Sequence, residues 1–346
     1  RTPARGRMVL YVEKMCGIGR RVFMESVEIL SEASAPAIVL GKETAQSRGG
    51  SYKLLLVSAI NYLINGRIYL LSGRANEQGL LDMGCMPDSL PGDRPVALAE
   101  FRRRYENEWK TAIPDKPGLS IFEMVDPAAK GPIKAMYVMG ENLVYNLPDS
   151  KAVESALKNI EFLVVQDIFL TETGRLADVV LPALSWAEKD GTFTNMERRI
   201  QRLRKAVNRD GMEDWRIISE VSKKMETNFN YRNTEDVFKE ITKVSPLYRN
   251  LTYEDIEKGD AIYPYKGEPL RNVTRDIQVH KGNGIVPSKL YVRLERPLFH
   301  SGTLSRKAPA LMNIYPEAVA RVNTDTARTL SIENGNIVRV STKTGS

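Results

Sequence analysis

The chain has 346 residues, of which 42% are hydrophobic, with 50 basic and 43 acidic side chains and a formal net charge of +7. A chain of this length and composition can bury a sizeable core, which excludes a disordered protein. Its length predicts two or three domains. No apolar run approaches the roughly 20 residues of a membrane-spanning helix, and the start lacks the apolar core of a signal peptide. We therefore expect a soluble, cytoplasmic protein without direct membrane insertion.

Cysteine and histidine are scarce. The two cysteines, Cys16 and Cys85, cannot hold a four-cysteine iron-sulfur cluster, and two unpaired thiols fit a reducing compartment. The two histidines, His280 and His300, make no conventional zinc site unless distant carboxylates join them. We predict no metal ligand in this chain.

The basic excess is small and fits an anionic ligand such as a nucleotide diphosphate. Basic runs at 102–104 and 198–205 lack the interleaved aromatic residues of a stacking platform, so both are interpreted as solvated helix faces. No nucleic-acid partner is predicted. Hydrolase chemistry is also disfavoured, because the sequence has no nucleophile-elbow motif and no phosphate-binding G-x-x-x-x-G-K loop.

The first part of the chain predicts two helix–strand pairs. A broken apolar stripe over 22–30 indicates a helix, and the apolar run 37–40 indicates a strand. Residues 52–64 form the second predicted helix, and 68–71 a continuously apolar strand of the buried parallel type. A glycine-rich loop at 72–79 and a proline-rich connection follow.

From residue 134 the pattern becomes regular. It predicts strands at 135–139, 162–165 and 178–181, separated by a helix at 150–158 and a further short helix. Asp149 or Ser150 is the expected N-cap of the first of these helices. Strands that alternate with helices indicate an α/β fold with a Rossmann-like parallel sheet.

The rest of the chain is less regular. We predict a basic helical stretch beyond Gly191 and helices at 215–225 and 235–244. Strand-like runs at 290–294, 318–322 and 337–341, with a turn at 333–336, indicate the beginning of a small β domain. The predicted division is 1–74, the end of an α/β domain; 75–228, an α/β ligand-binding domain; 229–288, a helical or irregular linker; and 289–346, the first part of a β domain.

Polar residues follow the predicted strands, where open parallel sheets bind ligands. Gly140 would let the backbone approach a phosphate that Asn142 could hydrogen-bond, although a glycine here also fits a simple turn. Asp167, after Gln166, could accept two hydrogen bonds from the N1 and N2 donors of guanine, or could cap a helix. Lys189 could meet a phosphate or a pterin oxygen, or could simply be solvated.

Two further groups of candidates lie later in the chain. Asp214 opens a predicted helix and is an ordinary cap unless its carboxylate faces a ligand. The turn His300-Ser301-Gly302-Thr303 places two hydroxyls around a glycine, which suits hydrogen bonds to a pyrophosphate. A turn at a strand edge would have the same composition.

Taken in order, four segments resemble the C-terminal part of the molybdopterin oxidoreductase family. The similarity is to formate dehydrogenase large (alpha) subunits and to the related large subunit of NADH-quinone oxidoreductase. The strongest segment is residues 162–204, FLVVQDIFLTETGRLADVVLPALSWAEKDGTFTNMERRIQRLR. The others are AMYVMGENLVYNLPDS, GRANEQGLLDMGCMPDSLPG and HSGTLSRKAPALMNIYPEAVARVN.

The resemblance implies a scaffold in which two molybdopterin guanine dinucleotides hold a molybdenum or tungsten ion, followed by the start of a double-psi β-barrel. By this likeness the residues that contact one dinucleotide are Asn142, Gln166, Asp167, Lys189 and Asp214. Those on the pterin side are His300, Ser301, Gly302 and Thr303. The iron-sulfur cluster and the metal-binding cysteine or selenocysteine would lie in an N-terminal remainder, so we expect the chain alone to be inactive.

The resemblance leaves the function open between three hypotheses. The first is a fragment or subunit of a formate-dehydrogenase-like oxidoreductase that passes electrons to iron-sulfur and flavin or NAD subunits. Arg1 at the first position and a strand-like pattern near Ser346 suggest that both ends of the sequence are cuts. The second is a non-catalytic structural domain of a respiratory NADH-quinone oxidoreductase. It is favoured by Ser72, which stands where formate dehydrogenases commonly have arginine, unless Arg74 substitutes. The third is a nucleotide-binding domain unrelated to pterins.

Overall fold

The computed structural model describes residues 12–263 and 300–341, except 48, 72, 127–132, 228 and 301. Its strands are β1 (Ala37–Gly41), β2 (Arg67–Leu71), β3 (Ser89–Leu90), β4 (Arg94–Pro95), β5 (Ala135–Met139), β6 (Phe162–Asp167), β7 (Val179–Pro182), β8 (Gly191–Thr194) and β9 (Ile200–Leu203). Its α-helices are Arg20–Glu32, Lys42–Gln46, Gly50–Leu63, Glu77–Asp82, Ala99–Trp109, Ile121–Met124, Leu143–Asn146, Ser150–Lys158, Asp214–Lys224, Thr234–Val244, Tyr253–Lys258, Thr303–Arg306, Pro309–Ile314 and Thr324–Thr329. Two 3₁₀ helices are Gly174–Leu176 and Trp186–Glu188. Within these ranges no helix is both long enough and apolar enough to cross a membrane.

The chain forms two compact units. The first contains described residues up to 80 together with 193–201 and 254–263, and the second contains 81–192, 202–253 and the described residues from 300 onward. The chain therefore leaves and re-enters the second unit. The domain boundaries predicted from the sequence stay predictions.

The first unit contains a two-stranded parallel sheet. β1 and β2 pair from Ala37 opposite Arg67 to Gly41 opposite Leu71, which confirms the two predicted helix–strand pairs and the parallel direction. The predicted burial of β2 is wrong, because Leu70 and Leu71 are exposed. Apolar composition favours a strand but buries it only where another layer packs on it.

The second unit contains a three-stranded parallel sheet in the order β5-β6-β7, with β6 in the centre. This confirms the regular pattern predicted from residue 134. The helix Ser150–Lys158 lies between β5 and β6 in the sequence, and Asp149 is its N-cap, since its carboxylate accepts the Ala152 amide hydrogen at 3.2 Å. A further short helix, Leu143–Asn146, which was not predicted, follows β5.

One face of this sheet carries the core. Leu163 and Val165 of β6 and Val138 of β5 are buried with Val153 and Leu157 of the helix Ser150–Lys158. Side chains alternate along a strand, so Val164 and Gln166 lie on the opposite face. Burial of these apolar side chains holds β6 in place, with its carboxyl end at the edge of the sheet.

The predicted basic helix after Gly191 is wrong. The segment forms β8 and β9, joined by a turn in which the amide of Arg198 donates to the carbonyl of Asn195 at 2.9 Å. Arg198 has φ 66°, a left-handed conformation that interrupts any α-helix. The helices predicted at 215–225 and 235–244 are confirmed, as is a helix for the basic run 102–104.

The predicted β domain at the end of the chain is not confirmed. The run 290–294 lies outside the described residues, and 318–322 and 337–341 are not strands. A strand requires a hydrogen-bonded partner strand, and neither segment has one among the described residues. The described residues from 300 onward contain three short helices instead. The turn at 333–336 is confirmed by a hydrogen bond from the Asn336 amide to the Glu333 carbonyl at 3.1 Å.

Candidate functional site

Four polar side chains form a continuous chain of hydrogen bonds at the carboxyl edge of the β5-β6-β7 sheet. The Tyr137 hydroxyl donates to Gln166 Oε1, and Gln166 Nε2 donates to Asp214 Oδ1 at 2.7 Å. Lys189 Nζ donates to Asp214 Oδ2 and forms an ion pair with it. These four residues, Tyr137, Gln166, Lys189 and Asp214, are called the carboxyl-edge network below. It joins β5, β6, the segment after β7 and the helix Asp214–Lys224.

Elementary electrostatics accounts for this arrangement. Gln166 is completely buried, so its amide requires partners on both sides, and Tyr137 and Asp214 supply them. Asp214 lies in the first turn of the helix Asp214–Lys224, where the helix dipole favours a negative charge. Lys189 then compensates that charge. The predicted interpretation of Asp214 as a plain helix cap is wrong, since its carboxylate bonds to Lys189 and Gln166 and the N-cap is Glu213.

Exposure divides the network into an inner and an outer part. The side chains of Lys189 and Asp214 are 24% and 30% exposed, whereas Gln166 is 0% exposed. The lysine and the aspartate can therefore meet a ligand from solvent. Gln166 cannot meet such a ligand, and its role is to hold Asp214 in position through their hydrogen bond.

Asp167 ends the central strand beside this network. One carboxylate oxygen accepts the Ile168 amide hydrogen at 2.7 Å. Burial is the largest cause of a raised pKa at Asp167, backbone hydrogen bonds from Ile168 and Phe169 oppose it, and the negative charges of Glu141 and Asp214 add to it. Burial, with the charge of Asp214, also raises the pKa of Tyr137. Asp167 thus places a half-buried acceptor at the centre of the edge.

Asn142 belongs to a separate, buried cluster. Its Nδ2 donates to Glu172 Oε2 at 2.7 Å and to Thr303 Oγ1 at 3.0 Å. Its Oδ1 accepts from the Thr173 hydroxyl at 2.9 Å and from the Thr173 amide at 3.3 Å. Thr303 is therefore brought to the sheet edge, but through Asn142 and not through the carboxyl-edge network.

The remaining candidates lie next to Thr303 in the chain. Gly302 precedes the helix Thr303–Arg306 with φ 113°, a conformation that favours glycine. His300 is engaged within its own segment, where Nε2 lies 2.5 Å from the Tyr315 carbonyl oxygen and Nδ1 lies 3.3 Å from Ser305 Oγ. Ser301 and Ser72 lie outside the described residues. Among the described residues, no three His, Cys, Asp or Glu side chains are grouped so as to hold a metal ion.

Comparison with known proteins decides the family. The family model described as molybdopterin oxidoreductase matches residues 19–224. The chain belongs to the molybdopterin oxidoreductase family. That membership confirms the resemblance seen in the sequence, and it implies a molybdopterin cofactor for the complete protein.

The relatives of this chain include two formate dehydrogenase alpha subunits. The chain is 37% identical to the F420-dependent formate dehydrogenase subunit alpha of Methanocaldococcus jannaschii and 34% identical to the F420-dependent formate dehydrogenase 1 subunit alpha of Methanococcus maripaludis. Each alignment covers 97% of this chain and 54% of the relative. The chain thus spans about half the length of these relatives. Acetylene hydratase from Pelobacter acetylenicus has a TM-score of 0.46 and 18% identity, covering 69% of this chain and 38% of that one.

The backbone of two glycines near the carboxyl edge is not covered by other groups. A Cβ atom built on Gly140 or on Gly191 would meet nothing within 4 Å, so the backbone there borders open space. Lys189 provides a cation and Asp167 an acceptor at the same edge. A lysine ammonium group can attract an anion and a carboxylate can accept N–H donors, so these residue types fit the anionic part of a molybdopterin.

Four residues of these clusters were not predicted: Tyr137, Glu172, Thr173 and Arg306. The observed register of β5 and β6 places Tyr137 diagonally from Gln166 on one face, and the predicted strands alone do not specify that register. Glu172 and Arg306 form an ion pair at 3.6 Å between segments far apart in sequence. No local pattern predicts such a pair.

Proposed function

We propose that this chain is part of a formate-dehydrogenase-like molybdopterin oxidoreductase and that its carboxyl edge binds the guanosine end of a molybdopterin guanine dinucleotide. One observation carries the proposal: Asp167, Lys189 and Asp214 reach solvent at the edge of a parallel sheet, supported by the buried Gln166. In such sheets this edge is where nucleotides bind.

Each of these residues has a separate role in binding. The Asp167 carboxylate accepts the two N–H donors of the guanine edge, and the Lys189 ammonium group meets a phosphate while Asp214 holds it in place. When bound in a bis-dinucleotide form, the cofactor's molybdenum or tungsten supplies two-electron chemistry, with formate as the proposed substrate. We further propose that the complete protein works in the cytoplasm and passes electrons to iron-sulfur and flavin or NAD subunits.

Guanine binding is tested by titrating the chain with GDP and, separately, with ADP in a calorimeter. We expect GDP to bind more tightly than ADP, and Asp167→Asn to weaken GDP binding by roughly 10- to 100-fold while leaving ADP unchanged, because a charged fork is worth about 1.5–3 kcal/mol. Asp115→Asn, at an exposed position in the same unit, is the matched control and should change neither affinity. Equal affinities for the two nucleotides in the unmodified chain would refute guanine binding and favour a structural domain without cofactor.

The affinity for GDP should also depend on pH through Asp167. Its raised pKa means that the carboxylate is lost at a higher pH than for an ordinary aspartate. Protonation of Asp167 should therefore weaken GDP binding at a higher pH than protonation of an ordinary aspartate would. Calorimetry from about pH 8 to about pH 5 measures this fall, and Asp167→Asn should make it smaller, leaving only the fall that comes from protonation of the GDP phosphate at about pH 6. An equal fall in the variant would assign the titration to another group.

A further inference from the structure

The amide of Asn142 has no hydrogen-bonding capacity left for a ligand. A primary amide offers two N–H donors and two acceptor positions. Both donors are used, by Glu172 and Thr303, and both acceptor positions are filled by Thr173. The residue is 2% exposed. A ligand could reach it only by displacing a protein partner.

The orientation of this amide is determined by its surroundings. If the amide were turned over, its oxygen would face the Glu172 carboxylate and its NH₂ group would face the Thr173 amide hydrogen, and both contacts would be repulsive. The hydrogen bond from Asn142 is the largest cause of a lowered pKa at Glu172, and the positive charge of Arg306 contributes. Glu172 is therefore a carboxylate, and it requires a donor at this position.

The same cluster connects two distant segments of the chain. Asn142 follows β5, whereas Thr303 begins the helix Thr303–Arg306. Arg306 adds two contacts, an ion pair with Glu172 at 3.6 Å and a guanidinium group 4.5 Å from the centre of the Tyr145 ring. Both are partly exposed and contribute little stability. The Asn142–Thr303 hydrogen bond, whose donor residue is buried, is the specific part of the connection.

We propose that Asn142 is a positioning residue that holds the segment from Gly302 to Arg306 against the carboxyl edge of the sheet and makes no contact with the nucleotide. Gly302 and Thr303 are the residues expected on the pterin side, so the functional meaning of this role rests on the proposed function. Asn142 then sets the distance between the two ends of the cofactor site. The structural role itself requires no cofactor.

Hydrogen–deuterium exchange of the full chain tests this role directly. Asn142→Asp replaces both N–H donors by a carboxylate oxygen that repels Glu172, and we expect the amides of Arg306 and Lys307, which bond to Gly302 and Leu304, to exchange roughly 10- to 100-fold faster. GDP affinity should stay within about twofold of the unmodified chain, since a positioning residue does not touch the nucleotide.

Asn146→Asp is the matched control. Asn146 also donates from Nδ2 to a carboxylate, that of Glu141, and it takes no part in the Asn142–Thr303 hydrogen bond. The same chemical change there should leave exchange at Arg306 and Lys307 as it was. Unchanged exchange in Asn142→Asp, or equal acceleration in both variants, would overturn the proposal.

A second pair of variants tests the role from the other side of the bond. Thr303→Val removes the acceptor and should accelerate exchange as Asn142→Asp does, whereas Thr303→Ser keeps the hydroxyl and should restore protection. This pair also serves if Asn142→Asp fails to fold. Loss of GDP binding in Asn142→Asp with normal exchange would make Asn142 a ligand contact and refute the proposal. Absence of GDP binding in the unmodified chain would refute the proposed function alone, because the exchange results need no nucleotide.

Discussion

Replacing Gln166 by glutamate should make the stability of the chain strongly dependent on pH. The new carboxyl group would be completely buried and would face the Asp214 carboxylate and the Tyr137 hydroxyl. Desolvation and the neighbouring negative charge both raise its pKa in the folded state above the unfolded value of about 4.3. Relative to the unmodified chain, Gln166→Glu is therefore least destabilised below that unfolded value. The difference in the free energy of unfolding grows as the pH rises through the folded pKa, to roughly 3 kcal/mol or more at neutral pH.

Urea unfolding between about pH 4 and about pH 8 measures this loss against the unmodified chain. Gln166→Met is the control, since it has similar volume and no charge. It leaves Tyr137 and Asp214 without their shared partner and should lower the free energy of unfolding by about 2 kcal/mol at every pH. Parallel pH profiles for Gln166→Glu and the unmodified chain would show that the side chain is not buried as described.

Replacing Leu163 by alanine should produce the second large effect. Leu163 is 1% exposed and lies in the core with Val153 and Leu157. Removing its side chain leaves a cavity in the face that holds β6, so we expect the free energy of unfolding to fall by about 3 kcal/mol. Because Gln166 and Asp167 are the last residues of β6, GDP affinity should fall as well.

Val164 offers a matched control on the same strand. It is half-buried on the opposite face, so Val164→Ala should lower the free energy of unfolding by less than about 1.5 kcal/mol. Urea unfolding of the two variants measures the difference. Equal losses would contradict the division of the sheet into a core face and an open face.

Short-range periodicity predicted the sheet that carries the site. The apolar runs of β5, β6 and β7 and the intervening helix Ser150–Lys158 occur at the predicted places, because each pattern is local. The segment around Arg198 was predicted wrongly for the opposite reason. Its basic composition suits a helix surface, but a left-handed residue at a tight turn changes the direction of the chain, and composition does not reveal that conformation.

The candidate site, like the fold, could be predicted from the sequence only in part. The sequence indicated Gln166, Lys189 and Asp214 as polar residues at the ends of elements. Their connection depends on pairs separated by 48 and 25 positions, which only the packing of the sheet against the helix Asp214–Lys224 creates. The residue type determines how many hydrogen bonds a side chain can make, but not which groups are its partners.

By itself, the sequence determined the α/β class, the positions of the central strands along the chain and the likeness to molybdopterin oxidoreductases, because local periodicity and long matched segments are properties of the chain. Only the tertiary structure decided which predicted residues face outward. Asp167 and Lys189 reach solvent, whereas Asn142 and Gln166 are buried and hydrogen-bonded to other side chains. The physical reason is that burial and hydrogen-bond partners depend on segments distant in sequence, which meet only when the chain has folded.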